Sequence, residues 1–85
     1  MISKKLASID GVEVKERGDN LYRVDNNTRY NIYNSDYVIH LINKFKISTT
    51  FKDNDHVAHK HGNYEYQKSF NEAVVMFVIN YCKPD

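Results

Sequence analysis

At 85 residues, with 27% charged and 41% apolar side chains, the chain has room for one core and the composition of a folded domain, not a disordered segment. A formal net charge of +1, with four histidines counted neutral, excludes the large basic excess of a phosphate-tracking or membrane-surface protein. A single cysteine excludes an internal disulfide, and the longest apolar run, seven residues from Ala73 to Ile79, falls far short of the ~20 that span a bilayer.

Ile2, Leu6 and Ile9 fall on one side of a short N-terminal helix over Ser3 to Ile9, which Asp10-Gly11 ends. Two turn signals follow, Arg17-Gly18-Asp19 and Asp25-Asn26-Asn27. Read as three-residue hairpin loops, they set Val14 against Tyr22, Val12 against Val24, Tyr22 against Tyr30, and Val24 against Thr28. That register predicts a three-stranded antiparallel meander with Val12, Val14, Tyr22, Val24, Tyr30 and Ile32 on its buried face.

Ser35-Asp36 opens a second helix, where Val38, Leu41, Ile42 and Phe45 recur at the spacing of one helical face. Ile47, Thr49 and Phe51 alternate with polar residues as a fourth strand. Residues 52–62, KDNDHVAHKHG, show no apolar period and are expected to form the longest loop. Tyr64-Glu65-Tyr66 reads as a short edge strand.

Residues 69–83, SFNEAVVMFVINYCK, are the stretch around which the rest must be arranged. Val74, Val75, Val78 and Ile79 favour a strand, but Ser69 followed by Glu72 is a capping box, and the run is long for a strand. With Pro84 as its stop, it is predicted as a helix. The expected fold is α+β in one domain over residues 1–85. The meander and one or two further short strands pack against two main helices, with the Tyr22 face under the last one. That helix has more apolar surface than one small sheet can cover. A homodimer is therefore expected, with Val75, Met76 and Ile79 at its interface.

No catalytic motif stands out. Asp53, Asp55, His56, His59 and His61 are the densest set of metal-ligand types, but their spacing matches no zinc site; the segment reads as a mobile loop without metal. Cys82 sits near a helix C-terminus, where the dipole disfavours a thiolate, so it reads as a buried hydrophobe and not as a nucleophile paired with His40. The predicted register places Arg23 opposite Arg29, with Glu13 across from Arg23 and Tyr33 further along the same face. Lys15, Arg23, Arg29 and Tyr33, together with Tyr64 and Tyr66, are the expected partner-binding residues.

The order helix-strand-strand-strand-helix at the start is similar to that of double-stranded RNA-binding domains, in order alone. Their basic, Gly- and Lys-rich signature ahead of the last helix is missing, since only Lys68 precedes Ser69, and no binding residue carries over. The expected function is a non-enzymatic protein-interaction module without cofactor, an adaptor or inhibitor of a larger host complex. Ten Asn and seven Tyr give the chain the composition of an AT-rich genome, phages included, so the counter-defence proteins of phages are one such kind. The alternative is a nucleic-acid module using the basic outer face of the sheet. With no signal peptide in MISKKLASID, a cytoplasmic setting is expected, without a membrane partner.

Overall fold

The computed structural model describes residues 2–84. Its elements run α1 (Ile2–Asp10), β1 (Val14–Arg17), β2 (Asn20–Arg23), α2 (Ser35–Phe45), β3 (Ser48–Lys52), β4 (Asp55–Lys60), β5 (Asn63–Gln67) and α3 (Phe70–Tyr81). The α+β class holds: three helices accompany two antiparallel sheets, β1-β2 and β3-β4-β5. Among the described residues, no helix is long and apolar enough to cross a membrane.

The final apolar stretch is a helix. Ser69 is its N-cap, and its hydroxyl accepts from the Glu72 N–H at 3.5 Å. Ala73, Val74, Val75, Phe77, Val78 and Ile79 are all buried, while the stripe Glu72, Met76 and Asn80 stays at least partly open, so burial over most of the circumference overrides the strand preference of the valines. The cover comes from α1, α2, β4 and β5, all of which pack on α3. This corrects two expectations. The last helix lies on β4 and β5, not on the Tyr22 face of the first hairpin. Val75 and Ile79 are enclosed by the chain itself, and Met76 is half-buried against the same core, so the surface expected to join two copies is already covered.

The neighbouring helices stop at left-handed residues. Gly11 (φ 75°) follows α1, and the Val12 N–H bonds back to the Ala7 carbonyl at 2.9 Å. Lys46 (φ 57°) follows α2, and the Ile47 N–H bonds the Ile42 carbonyl at 3.1 Å, which tucks Ile47 into the core. At its start α2 is capped by Asn34, whose Oδ1 accepts from the N–H groups of Asp36 and Tyr37. As expected from spacing, Val38, Leu41 and Phe45 are buried, with Ile42 partly so.

The first hairpin differs from expectation by one residue. Its loop is Gly18-Asp19 alone, with Gly18 at φ 63° in the position where a two-residue turn needs glycine. Val14 therefore pairs with Arg23, and Lys15 with Tyr22. Leu21, not Tyr22, becomes the buried residue of β2, and Val24 is exposed. A slip of one residue exchanges the two faces of a strand, and a full side chain of burial for Leu21 decides the register.

The third meander strand does not form. After β2 the chain makes only an isolated bridge, Tyr22 to Arg29, with backbone bonds from Arg23 to Thr28 and from Tyr30 to Leu21. Tyr30 and Ile32 are nonetheless buried. The order strand-strand-helix-strand-strand-strand-helix after α1 thus departs from the double-stranded RNA-binding arrangement.

The expected long loop over residues 52–62 is a hairpin strand. Asp53 and Asn54 both take positive φ (53° and 68°) and form a two-residue turn into β4. His61 and Gly62 (51° and 83°) make a second turn into β5. β4 is the central strand, and its two apolar residues, Val57 and Ala58, are both buried. The histidine segment is therefore tied into the sheet on both sides, not mobile.

Val74 and Phe77 are at most 1% exposed at the centre of this core. Val74→Asp or Phe77→Asp places an unpaired charge there, at a cost of several kcal/mol that a domain of this size cannot absorb. Either variant is expected to lose the cooperative thermal transition by circular dichroism. Melting at the wild-type temperature would show that α3 is not the core.

Candidate functional site

Two surfaces gather the chemistry-bearing side chains. The first lies where residues 23–34 pass over α2, and it is built on Asp10. This residue ends α1, with its carboxylate where the helix dipole is unfavourable, and its side chain is only 1% exposed. Its position requires compensation, and three residues of α2 provide it. Lys44 Nζ lies 2.9 Å from Asp10 Oδ1 and also donates to the Asp10 carbonyl at 2.6 Å. The Tyr37 hydroxyl donates to Oδ2 at 2.7 Å, and His40 Nε2 lies 3.2 Å from the same oxygen. Because Tyr37 spends its only proton on Asp10, the 2.7 Å contact between the Tyr30 and Tyr37 hydroxyls has Tyr30 as donor.

Burial raises the Asp10 carboxyl, but bonds from Lys44, Tyr37 and His40 outweigh it and hold the group below its ordinary 3.8. Burial pushes the Tyr30 hydroxyl up to about 12 and Tyr37 higher still, so both stay protonated donors. The tyrosine rings meet edge-on at 5.3 Å, and His40 stacks on Tyr37 at 5.6 Å.

Above this network is an open cavity of about 460 Å³, lined by Arg23, Arg29, three asparagines, Tyr30, Tyr37 and His40 among others. The two arginines do meet here, though not as directly opposed strand residues. Arg23 lies across from Thr28 and makes a bidentate pair with Asp25, at 3.0 and 2.8 Å. Among the described residues the expected Glu13–Arg23 ion pair does not form: the register sets Val14, not Glu13, opposite Arg23, whose guanidinium is engaged by Asp25. Lys15 stands outside the cavity on exposed β1, opposite Tyr22. Tyr33 is exposed, and its carbonyl accepts from Asn71 Nδ2 of α3 at 2.7 Å.

The second surface is the outer face of the β3-β4-β5 sheet. Pairing sets Thr50, Val57 and Tyr66 in one row and Ser48, His59 and Tyr64 in the next. The opposite face belongs to the core side: Ala58 is fully buried, His56 meets Phe70 edge-on, and Glu65 accepts from Asn80 of α3 at 2.9 Å. On the outer face His59 stacks on Tyr64 at 5.6 Å, and Tyr64 stacks on Tyr66 at 6.4 Å. Both tyrosines are about half exposed, at 51% and 53%, while Val57 beneath them is covered. Every residue of β3, the edge strand on the far side of β4 from these tyrosines, is exposed.

Tyr64 and Tyr66 were legible as surface aromatics from their alternation with Glu65. Their stacking partner His59 was not, because its strand read as a loop. Asp10 read as a helix stop, and nothing in its local sequence signals three partners about thirty residues away. Cys82 is half-buried, and burial pushes its thiol up; His40 is engaged by Asp10. Among the described residues, no three His, Cys, Asp or Glu side chains converge as metal ligands.

No family model, curated protein or solved structure matches this chain.

The buried carboxylate dictates an acid limit to stability. A group whose folded-state pKa is depressed stabilises fully above its unfolded value, and that contribution is lost as pH falls through the folded value. Stability is therefore expected to fall below about pH 4. Asp10→Asn should lower the melting temperature at neutral pH, because Lys44 loses its counter-charge, and should flatten the acid limb. An unchanged pH profile in Asp10→Asn would remove Asp10 from this role.

Proposed function

We propose that the protein is a small non-enzymatic interaction module that grips a protein partner with the outer face of the β3-β4-β5 sheet. The observation that carries this reading is the stacked row His59, Tyr64 and Tyr66, which runs from β4 to β5 on the outer face of a sheet whose other edge strand, β3, is exposed throughout. Tyrosine combines a large apolar face with a hydroxyl at low entropic cost, which makes it a common anchor in protein interfaces. The edge of β3 adds unpaired backbone groups to which an extended segment of a partner can bond. An adaptor or an inhibitor of a larger host complex fits this surface, and a cytoplasmic setting fits the single cysteine.

A nucleic-acid reading draws on the same ladder, because bases also stack on exposed aromatic rings. Lys52 and Lys68 flank it in the next row, although Lys68 is paired with Asp55 at 2.6 Å. The net charge of +1 weighs against a partner made of phosphates.

Affinity capture with the wild type and a Tyr64→Ser/Tyr66→Ser double variant, each with and without nuclease, separates the two. The double variant is expected to keep its fold, seen as an unchanged circular dichroism spectrum, with a lower melting temperature because Tyr66 also covers Val57. It should lose a partner whose capture is indifferent to nuclease. Loss on nuclease treatment, with a steep salt dependence, would favour the nucleic-acid reading instead. Capture that survives the double variant and fails on Arg29→Glu would move the site to the arginine cavity.

A further inference from the structure

We propose that the cavity between residues 23–34 and α2 binds a small phosphate-bearing anion. The inference rests on which hydrogen-bonding groups of its lining are already used, and it is independent of the sheet surface. Asn26, Asn31 and Asn34 all line the cavity. Each has its amide oxygen committed to backbone N–H groups: Asn26 Oδ1 to Thr28, Asn31 Oδ1 to Tyr33, and Asn34 Oδ1 to Asp36 and Tyr37. These bonds fix the orientation of all three amides, because an N–H can be met only by the oxygen. The three NH₂ groups are therefore turned away from the turns they hold, and none donates to another group among the described residues.

The two arginines of the lining add donors and positive charge. Arg23 uses Nε and Nη2 on Asp25, leaving Nη1. Arg29 makes no ion pair or hydrogen bond among the described residues, and its whole guanidinium fork remains. Three amide NH₂ groups, the free Nη1 of Arg23 and the unpaired guanidinium of Arg29 favour a ligand rich in acceptors and negative in charge. A phosphate group answers both, since its oxygens match the planar fork of arginine. The volume of about 460 Å³ lies within the range of small-molecule sites and leaves room for more than the phosphate itself. Asp36, also in the lining, is the one carboxylate there and opposes an anion.

The negative charge nearest the floor does not oppose it in the same way. Asp10 is enclosed and neutralised by Lys44, with Tyr37 and His40 completing its bonds. The same contacts orient Tyr37 and His40, which both line the cavity.

Isothermal titration calorimetry at constant ionic strength tests the proposal, with inorganic phosphate, glycerol 3-phosphate and glycerol as probes. Both phosphate probes are expected to bind, and glycerol is not. Equal affinity for the two identifies the free ion as the ligand, whereas tighter binding of the ester identifies a small phosphorylated molecule. Arg29→Ala should weaken phosphate binding by about tenfold or more, the loss of a charge-assisted hydrogen bond. Asp36→Asn should strengthen it. The circular dichroism of both variants should match the wild type, as both side chains are exposed. Absence of heat with either phosphate probe, or equal binding by wild type and Arg29→Ala, would overturn the assignment.

Discussion

The structure depends on enclosing α3. Six of its twelve residues are buried, and they face more than one direction around the helix, so a single packing partner cannot cover them. In a chain of this size each such side chain contributes about 1.5–3 kcal/mol when removed from water, against an ordering cost nearly as large. Two helices and two strands must therefore converge on α3. A second copy of the chain is not needed for the purpose, because α1 and α2 occupy the side that the sheet leaves open.

This use of the chain explains why one sheet face remains bare. All three helices are gathered on the side of α3, so nothing is left to pack on the outer face of β3, β4 and β5. The central strand records the asymmetry. Ala58 joins the main core, while Val57 on the other face is covered only by its strand neighbours and the stacked tyrosines. The outer face thus keeps its aromatic row, Tyr64 and Tyr66, about half exposed. At the sheet's edge β3 presents Ser, Thr and Phe with only Lys52 as a charge.

The buried carboxylate plays a different part. Asp10 joins the end of α1 to three side chains of α2, spaced so that Tyr37, His40 and Lys44 fall on one helical face. A hydrophobic residue at the same place could pack the two helices as well or better. What the polar arrangement supplies is direction: it aligns Tyr37 and His40, and through Tyr30 it anchors the irregular segment that follows β2 and carries Arg29. The cavity and the packing of the helices are in this way one unit.

The sequence by itself determined the elements whose signals are local. The three helices, the buried face of α2, the cap at Ser69 and the exposed tyrosines on either side of Glu65 all follow from spacing within a few residues. Tertiary structure decided what depends on partners distant in the chain. The hairpin register turned on whether Leu21 or Tyr22 found cover, and the local turn residues allowed both. The strand over Asp55–Lys60 was hidden because only Val57 and Ala58 in it are apolar, and its pairing with neighbours on both sides supplies what the pattern lacks. The pairing of Asp10 with Tyr37, His40 and Lys44 leaves no mark near residue 10 at all. A charge can be read from one position, but its compensation is a property of whatever the fold brings beside it.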